Sequence, residues 1–406
     1  MICPVRVSPV WGVNMRRTEW LQETRMRRFQ EAYDRWSERR LTQEEAGRLL
    51  GVTERTFRRY VDRYEDGGLD ALRDQRLLQP SHRRAPPVEV SDVVDAYRRA
   101  YDGWTSQHFF SHYYRPSGGS RGYTWVKTRL QDAGLRKREK RKGTHRKRRD
   151  RAPMPGMMIH QDGSRHEWVP GQMWDLIVTM DDANSEQYSM FFVPEEGTQS
   201  SFQGVREGIE KNGLFCSFYS DRGSHYWHTP EAGGKVDKNN PTQFGRAMEH
   251  LGIEMIAAYS PEARGRSERF FGTHQDRLVK ELALYGITTM EEANRYIRDR
   301  YLPAFNVEFM VEPTESGSAF VEWGGPNLDD ILCEQHDRTV SNDNCVSFEG
   351  IKLQIPPDKY RCHYIKTKIR VHRYNDGSLG IFHGPRKLAG YDSNGIQINE
   401  RVKAIA

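Results

Sequence analysis

"LFCSFYSDRGSHY", residues 214–226, begins as an apolar run and turns polar at an aspartate. The run over 214–220 has the apolar and aromatic content of a buried β-strand. Asp221 follows at its carboxyl end, and Gly223 permits a tight turn there. In α/β sheets, ligand-binding side chains collect at the carboxyl ends of strands. The stretch therefore predicts a strand of an α/β domain that ends in a functional carboxylate.

The segments around this strand complete the pattern of a mixed α/β domain. "MIHQDGSRHEW", residues 158–168, could form a first strand that carries Asp162. Further strand-like runs occupy 174–180, 188–193 and 253–259, and helical patterns occupy 198–212, 241–252 and 261–280. Consecutive strands followed by alternating helices and strands predict one mixed α/β layer domain over residues 153–311. The stretch 226–240 reads as a surface insertion, and Asn306 as a structural residue.

The N-terminal region has the pattern of a helix-turn-helix. A charged helix is predicted over 19–40, and "LTQEEAGRLLGVTERTFRRY", residues 41–60, has glycines where two helices would cross and turn. Thr53 is placed to cap the second helix. Its outer face would carry a glutamate and three arginines, namely Glu54, Arg55, Arg58 and Arg59. An ordinary helical hairpin is the alternative, but this face favours a DNA-binding domain over residues 19–78.

A second helical DNA-binding domain is predicted over residues 86–135, with short helices at 88–102, 105–114 and 123–134. Trp125, Val126 and Leu130 would face inward, and Lys127 and Arg129 outward. A basic linker follows over 136–152, where eleven of the 16 residues in 136–151 are Lys or Arg, among them Arg146, Lys147 and Arg148. Such an arm binds polyanions by counterion release, or it simply keeps the chain soluble.

Composition gives the same picture at a coarser level. Residues 1–152 carry 35 Lys and Arg against 20 Asp and Glu, whereas residues 153–406 carry 27 against 36. A basic front half joined to an acidic back half is typical of nucleic-acid binders. The five cysteines are far apart, and no apolar run is long enough to cross a bilayer, so we expect reduced thiols, no membrane partner and a cytoplasmic location. Residues 325–406 predict a small all-β, barrel-like domain with a hairpin turn at 375–377.

Three acids of the central domain are candidate metal ligands: Asp162, Asp221 and Glu268, the last in "SPEARGRSERFF", residues 260–271. Carboxylates without Cys or paired His ligands select a hard cation, Mg²⁺ or Mn²⁺. Three of them can hold two ions about 3.5–4 Å apart, which suits in-line displacement at phosphorus. The chain has 56 acidic residues, so spacing alone leaves a purely structural role open. Asp181 and Asp182 are alternative ligands, although a structural role for them is favoured.

The motifs "HQDGSRHEW", "TMDDAN", "YSDRGSHY" and "SPEARGRSERFF" occur here in an order that resembles DDE transposases of bacterial insertion sequences, most closely the ISNCY type. The resemblance implies a multidomain α/β chain: a helix-turn-helix region, a ribonuclease-H-like catalytic core similar to that of retroviral integrases, and a small C-terminal β domain. It implies that Asp162, Asp221 and Glu268 bind two Mg²⁺ (or Mn²⁺) ions. Three arginines near Glu268 are then placed to meet DNA phosphates: Arg264, Arg266 and Arg269.

The activity that this resemblance implies is transposition. The chain would bind the terminal inverted repeats of its element, cut the 3′ ends and join them to target DNA. It would act as a dimer or larger assembly on double-stranded DNA, in association with the bacterial nucleoid. Two other readings remain open at this level: a catalytically inactive DNA-binding regulator, and a metal-dependent nuclease without strand transfer.

Overall fold

The computed structural model describes residues 17–74, 84–138, 150–231, 234–259, 265–357 and 359–398, with side chains from residue 20 and, in the helix after 264, from residue 268. The chain divides into two compact units, Met1–Val90 and Ser91–Ala406. Within the described ranges no helix has the length and apolarity needed to span a membrane. The described cysteines, Cys216, Cys333, Cys345 and Cys362, are free thiols.

The first unit contains the helices α1 (Arg17–Ser37), α2 (Gln43–Leu50) and α3 (Glu54–Gly67). Gly51 ends α2 in the left-handed conformation with φ +71°, and a Cβ at Gly47 would lie 3.0 Å from the carbonyl oxygen of Val52. Thr53 caps α3 by accepting a hydrogen bond from the backbone N–H of Thr56. The helices enclose a small core around Phe29 and other buried side chains, namely Ala32, Ala46, Phe57 and Val61. The predicted turn and cap of the helix-turn-helix are confirmed.

The second unit opens with a helical segment. Its helices are α4 (Pro87–Ala100, which begins just before the boundary), α5 (Ser106–Phe109) and α6 (Tyr123–Asp132), and α5 continues into a π-helical turn, Phe110–Tyr114. Val126 and Leu130 are fully buried against Tyr97, Trp104 and Phe109, as the apolar pattern predicted.

A five-stranded mixed sheet forms the centre of this unit. Its elements in chain order are β1 (Met158–Val169), β2 (Gln172–Asp181), β3 (Gln187–Val193), α7 (Thr198–Asn212), β4 (Ser217–Ser220), α8 (Gln243–Leu251), β5 (Glu254–Ala257), α9 (Gly265–Leu284), α10 (Met290–Tyr296), a π-helical turn (Ile297–Tyr301) and α11 (Leu302–Phe309). The strand order is β3-β2-β1-β4-β5. The first three strands are antiparallel, and β4 and β5 run parallel to β1.

Helices cover both faces of this sheet. Side chains of α7 and α8 form one apolar core with β4, and side chains of α9, α10 and α11 form a second core with β2 and β3. The predicted mixed α/β class is confirmed. The prediction that 226–240 is a surface insertion is wrong at its start, because Tyr226 and Trp227 lie in the first core with only 1% and 6% of their surface exposed.

The edge strand β3 is closed by two asparagine side chains. Asn306 accepts a hydrogen bond from the N–H of Gln187 (2.9 Å) and donates one to its carbonyl (2.8 Å). Asn294 does the same at Phe192, with distances of 2.6 and 3.0 Å. An uncovered edge would leave these buried backbone groups without partners. The structural role predicted for Asn306 is therefore confirmed.

The C-terminal region is all β, as predicted. Its strands are β6 (Glu334–Thr339), β7 (Cys345–Phe348), β8 (Ile351–Gln354), β9 (Lys368–Arg373), β10 (Leu379–His383), β11 (Arg386–Tyr391) and β12 (Gln397–Ile398). They form an antiparallel sheet of order β12-β11-β10-β9-β6 and a separate β7-β8 hairpin, which share one apolar core. Gly377, with φ +80°, makes the predicted turn between β9 and β10.

Candidate active site and nucleic-acid interface

Asp162 and Asp221 occupy corresponding positions at the β1-β4 pair: Asp162 lies within β1, and Asp221 directly follows the end of the parallel strand β4. The last recorded pair between β1 and β4 is His160 with Tyr219, and each aspartate lies two residues further along its own strand direction. The rings of His160 and Tyr219 lie 4.8 Å apart on one face. Because side chains alternate along a strand, residues two positions further on project from that same face. The fold thus brings together two acids that are 59 positions apart in the chain.

Turn geometry orients both carboxylates. Asp221 accepts a hydrogen bond from the N–H of Gly223 through Oδ1, at 2.9 Å, directly after β4 ends. A Cβ at Gly223 would lie 3.0 Å from that oxygen, which explains why the turn needs glycine. Asp162 accepts from the N–H of Gly163 at 3.1 Å. Asp162 is 7% exposed, while Asp221 is half-buried and closer to solvent.

Helix α9 covers the face of β1 that carries Asp162. Phe270, Phe271 and His274 line a small cavity together with Asp162 and residues of β1 and β2. One turn further on, Gln275 donates a hydrogen bond to Ser164 at 2.9 Å. The opposite face of β1 is bound to α7, where Gln161 donates to the carbonyl of Ser201. The packing of α9 therefore places this helix, and no other described one, over Asp162.

Glu268 is an exposed residue in the first turn of α9. It precedes Phe271 by three residues, a rise of about 4.5 Å along the helix. Residues three and seven positions apart share a helix face, so Glu268 lies in line with Phe271 and Gln275, which face β1. Arg269 is exposed beside it. Arg264 and the side chain of Arg266 lie outside the described residues.

A carboxylate that was not predicted as a site residue, Glu196, lies next to the two aspartates. His225 lies there too; the sequence favoured a solvated or structural role for it over assistance to the leaving group. A Cβ added at Gly163 would lie 2.2 Å from Oε2 of Glu196, so this carboxylate sits against the backbone beside Asp162. Nε2 of His225 is 3.4 Å from Oε1 of Glu196. The signal available in the sequence was the acidic pair Glu195-Glu196, which follows β3 after one proline. The parallel strands β1 and β3 end at the same edge of the sheet.

The pKa of Tyr226 is affected by acidic residues on β1 and just after β3 and β4. Its hydroxyl donates to Oε1 of Gln161 at 2.9 Å inside the sheet. Burial raises the pKa of Tyr226 well above its ordinary value, and the charges of Glu196, Asp162 and Asp221 raise it further. The negative charges of these three acids thus act on the Tyr226 hydroxyl, and a bound cation would offset part of their field.

Asp181 and Asp182 have structural roles, which the sequence favoured over a role as metal ligands. Both are completely buried. Asp181 accepts hydrogen bonds from the N–H groups of Gly156 and Ala183, each at 2.7 Å, and burial raises its pKa. Asp182 accepts from the N–H of Ala152 at 2.8 Å and lies 2.9 Å from Nε2 of His160. They fix the turn after β2.

A basic cleft lies between α6 and α9. Its cavity of about 370 Å³ is lined by cationic side chains from two distant parts of the chain, Lys127, Arg136, Lys137 and Arg269. Arg277 also lines it but is held by Glu308 in a two-pronged pair of 2.8 Å bonds. Arg129 lies outside the cleft and pairs with Asp132 at 3.1 Å. Lys127, predicted to face outward, thus lines the same cleft as Arg269, which is one position after Glu268.

The outer face of α3 carries the predicted arginines. Arg55, Arg58 and Arg59 are exposed, and Arg58 pairs with Glu54 at 2.8 Å. Arg146, Lys147 and Arg148 of the basic linker lie outside the described residues. In this unit the exposed arginines give the second helix of the helix-turn-helix a cationic outer face.

Comparison with known proteins agrees with these features. A family model described as a helix-turn-helix domain matches residues 34–84. The protein called transposase y4bF of Sinorhizobium fredii is 28% identical over 349 residues, which are 84% of this chain and 75% of that protein. The transposase for insertion sequence IS1202 of Streptococcus pneumoniae is 28% identical over 236 residues, 57% of this chain and half of that protein.

Among solved structures, the HTLV-2 integrase catalytic core domain in complex with magnesium aligns with 36% of this chain and 87% of its own, with a TM-score of 0.29 and 15% identity. A likeness at this level carries no argument about fold or function. The sequence relatives show that the chain is similar to bacterial transposases, as its motifs predicted, and the first of them matches 84% of the chain. The family model shows a helix-turn-helix domain near the N-terminus.

Proposed function

We propose that this chain is a DDE-type transposase in which Asp162, Asp221 and Glu268 hold two Mg²⁺ (or Mn²⁺) ions. The observation that carries the proposal is the placement of Asp162 on β1 and of Asp221 directly after the adjacent parallel strand β4, with α9 packed across Asp162. The similarity to transposases over most of the chain supports the same reading.

The donor set fits these ions. All three proposed ligands offer carboxylate oxygens, which Mg²⁺ and Mn²⁺ prefer. The acids around Tyr226 concentrate negative charge that bound cations would compensate. When bound, two ions activate the attacking oxygen and stabilise the leaving oxygen at phosphorus. The carboxylates themselves form no covalent bond to DNA.

Two displacements at phosphorus account for the reaction. A water oxygen attacks the phosphodiester at the element's end, the bond from phosphorus to the 3′ oxygen breaks, and a 3′-hydroxyl is left on the element. That hydroxyl then attacks a target phosphodiester, and a target 3′ oxygen leaves. The second step makes one phosphodiester and breaks one, so it needs no external energy source. The chain must hold both DNAs in line with the acids.

The cationic surfaces are the proposed means of holding them. Arg55, Arg58 and Arg59 of α3 would read the terminal inverted repeat. Lys127 and Arg269 in the basic cleft would hold phosphates beside Glu268. Six further residues belong to the predicted DNA contact. Arg129 pairs with Asp132, and the side chains of the other five lie outside the described residues: Arg146, Lys147, Arg148, Arg264 and Arg266. Two ends must be handled together, so the active form is proposed to be a dimer or larger on DNA.

The test uses the full chain with a duplex taken from the DNA that flanks its reading frame. In Mg²⁺ the wild type should give 3′-end cleavage and joined products. Asp221→Asn should abolish both products and leave binding in a gel-shift assay unchanged, because the substitution removes a ligand but no DNA contact. Asp299→Asn, an exposed acid on the turn after α10, is the matched control and should behave as wild type.

The alternatives have distinct outcomes. A regulator would bind the duplex and give no product with all acids intact. A nuclease would give nicked DNA and no joined product. Either result would overturn the proposed transposition.

A further inference from the structure

Three potential metal ligands meet where α5 and the π-helical turn after it pack on the second half of α9. This place is far from the sheet edge that carries Asp162 and Asp221, called the carboxylate edge below. Oε1 of Glu281 lies 2.6 Å from Nε2 of His108 and 3.6 Å from Nδ1 of His112. The ligand atoms of the three residues all lie within 4.8 Å of one another. Their side chains are 1%, 18% and 7% exposed in the order His108, His112 and Glu281, so the cluster is buried.

These distances fit a small tetrahedral ion. At metal–ligand distances of about 2.0–2.1 Å, neighbouring ligand atoms of a tetrahedron lie roughly 3.3–3.4 Å apart. The two separations from Oε1 of Glu281, 2.6 and 3.6 Å, bracket this value, and the ligand atoms of all three residues lie within 4.8 Å of one another.

The groups behind the cluster orient the ligands. Nε2 of His112 lies 3.2 Å from the hydroxyl of Tyr285, so Nδ1 is left for the cluster. The hydroxyl of Tyr296 donates to Oε2 of Glu281 at 2.5 Å, which leaves Oε1 for the cluster. Trp104 stacks on the ring of His108 at 3.8 Å and fixes its plane. Partners of this kind for the outer atoms of His112 and Glu281 are characteristic of metal sites, whereas Nδ1 of His108 is buried without a hydrogen-bond partner.

The local backbone is unusual in the same place. Residues Phe110–Tyr114 form a π-helical turn, and this turn carries His112. π-Helical turns are rare and are found preferentially at functional sites. The turn changes the angular spacing between His108 and His112 from that of a regular α-helix, and both rings reach the same carboxylate.

We propose that His108, His112 and Glu281 bind one Zn²⁺ ion, with water as the fourth ligand, and that this ion fastens the helical segment to α9. Two imidazoles and one carboxylate are a recognised zinc ligand set, and nitrogen donors distinguish it from a Mg²⁺ site. Glu281 and Glu268 belong to the same helix, so the ion would fix the helix that carries the proposed catalytic glutamate. The proposal does not depend on the transposition chemistry.

The test measures zinc in the Asp221→Asn chain, a background that weakens zinc binding at the carboxylate edge. The protein is stripped with chelator, reloaded with Zn²⁺, freed of excess ion and analysed by mass spectrometry for metal content. We expect about one Zn²⁺ per chain and a rise of several degrees in the thermal midpoint on loading. Co²⁺ in place of Zn²⁺ should give the intense visible absorption of a four-coordinate site.

His112→Asn in the same background should lose the retained zinc, the thermal shift and the cobalt spectrum. His250→Asn, an exposed histidine on α8, is the matched control and should keep all three. If His112→Asn fails to fold, the loading experiment on the parent chain decides. A parent chain that retains no zinc and shows no thermal shift would overturn the proposal, and the cluster would then be a hydrogen-bonded core without metal.

Discussion

Asn306→Ala gives a direct measure of how the five-stranded sheet is closed at its β3 edge. The substitution removes one acceptor and one donor, so the N–H and C=O of Gln187 lose their partners. Gln187 is fully buried. Leaving a buried backbone group unsatisfied costs about 1–3 kcal/mol. Asn306 itself is partly exposed, so water recovers some of the two losses, and a net cost of about 2–4 kcal/mol is expected.

Hydrogen–deuterium exchange at β3 is the suitable assay, because a chain of several domains need not unfold in one step. A local loss of about 2–4 kcal/mol corresponds to roughly 30- to 1000-fold faster exchange of the Gln187 N–H. Asn212→Ala is the control, since that side chain makes one long 3.4 Å bond to a helix carbonyl. Exchange in Asn306→Ala within about threefold of wild type would refute the view that this amide closes the edge.

Three further predictions concern the helix-turn-helix, acid stability and DNA affinity. Gly47→Ala places a Cβ 3.0 Å from the carbonyl of Val52, so the helix crossing must open, with a loss of about 1–3 kcal/mol and weaker binding to the duplex in gel shift. Burial lowers the pKa values of His274 and His372 to about 3, so the unfolded chain binds protons at a higher pH than the folded chain does. The free energy of unfolding therefore falls as the pH drops below about 6.5 towards 3. Between pH 7 and 5.5 the expected loss is roughly 1 kcal/mol per histidine, measured by urea unfolding. Arg269→Gln should reduce the slope of log affinity against log salt by about 0.9, the value for one phosphate contact.

Each of these has its own control. Gly208→Ala adds a Cβ with no atom within 4 Å and should leave stability unchanged or raised. His372→Gln should reduce the loss of unfolding free energy between pH 7 and 5.5 by roughly 1 kcal/mol, the contribution of one histidine. An unchanged pH profile would contradict the lowered pKa of His372. For the cleft, Arg295→Gln removes an exposed arginine that pairs with Glu291, and its salt slope should match wild type. An Arg269→Gln slope equal to wild type would remove this residue from the DNA contact.

The local features of this protein were readable from its sequence. The run before Asp221 formed β4, Thr53 capped α3 and Gly51 made the turn of the helix-turn-helix. The reason is that strand and helix periodicity, caps and positive-φ turns depend on residues within a few positions of one another. The predicted resemblance to bacterial transposases likewise agrees with the sequence relatives.

Tertiary structure alone decided which distant residues meet. Strand register put Asp162 level with Asp221, and a shift of one residue would have sent one of them to the opposite face. Packing placed Glu196 beside Gly163 and joined His108 to Glu281 across 173 positions. No sequence period encodes such contacts, because they arise from the burial of whole faces against each other, and the side chains that line a site are selected by that packing.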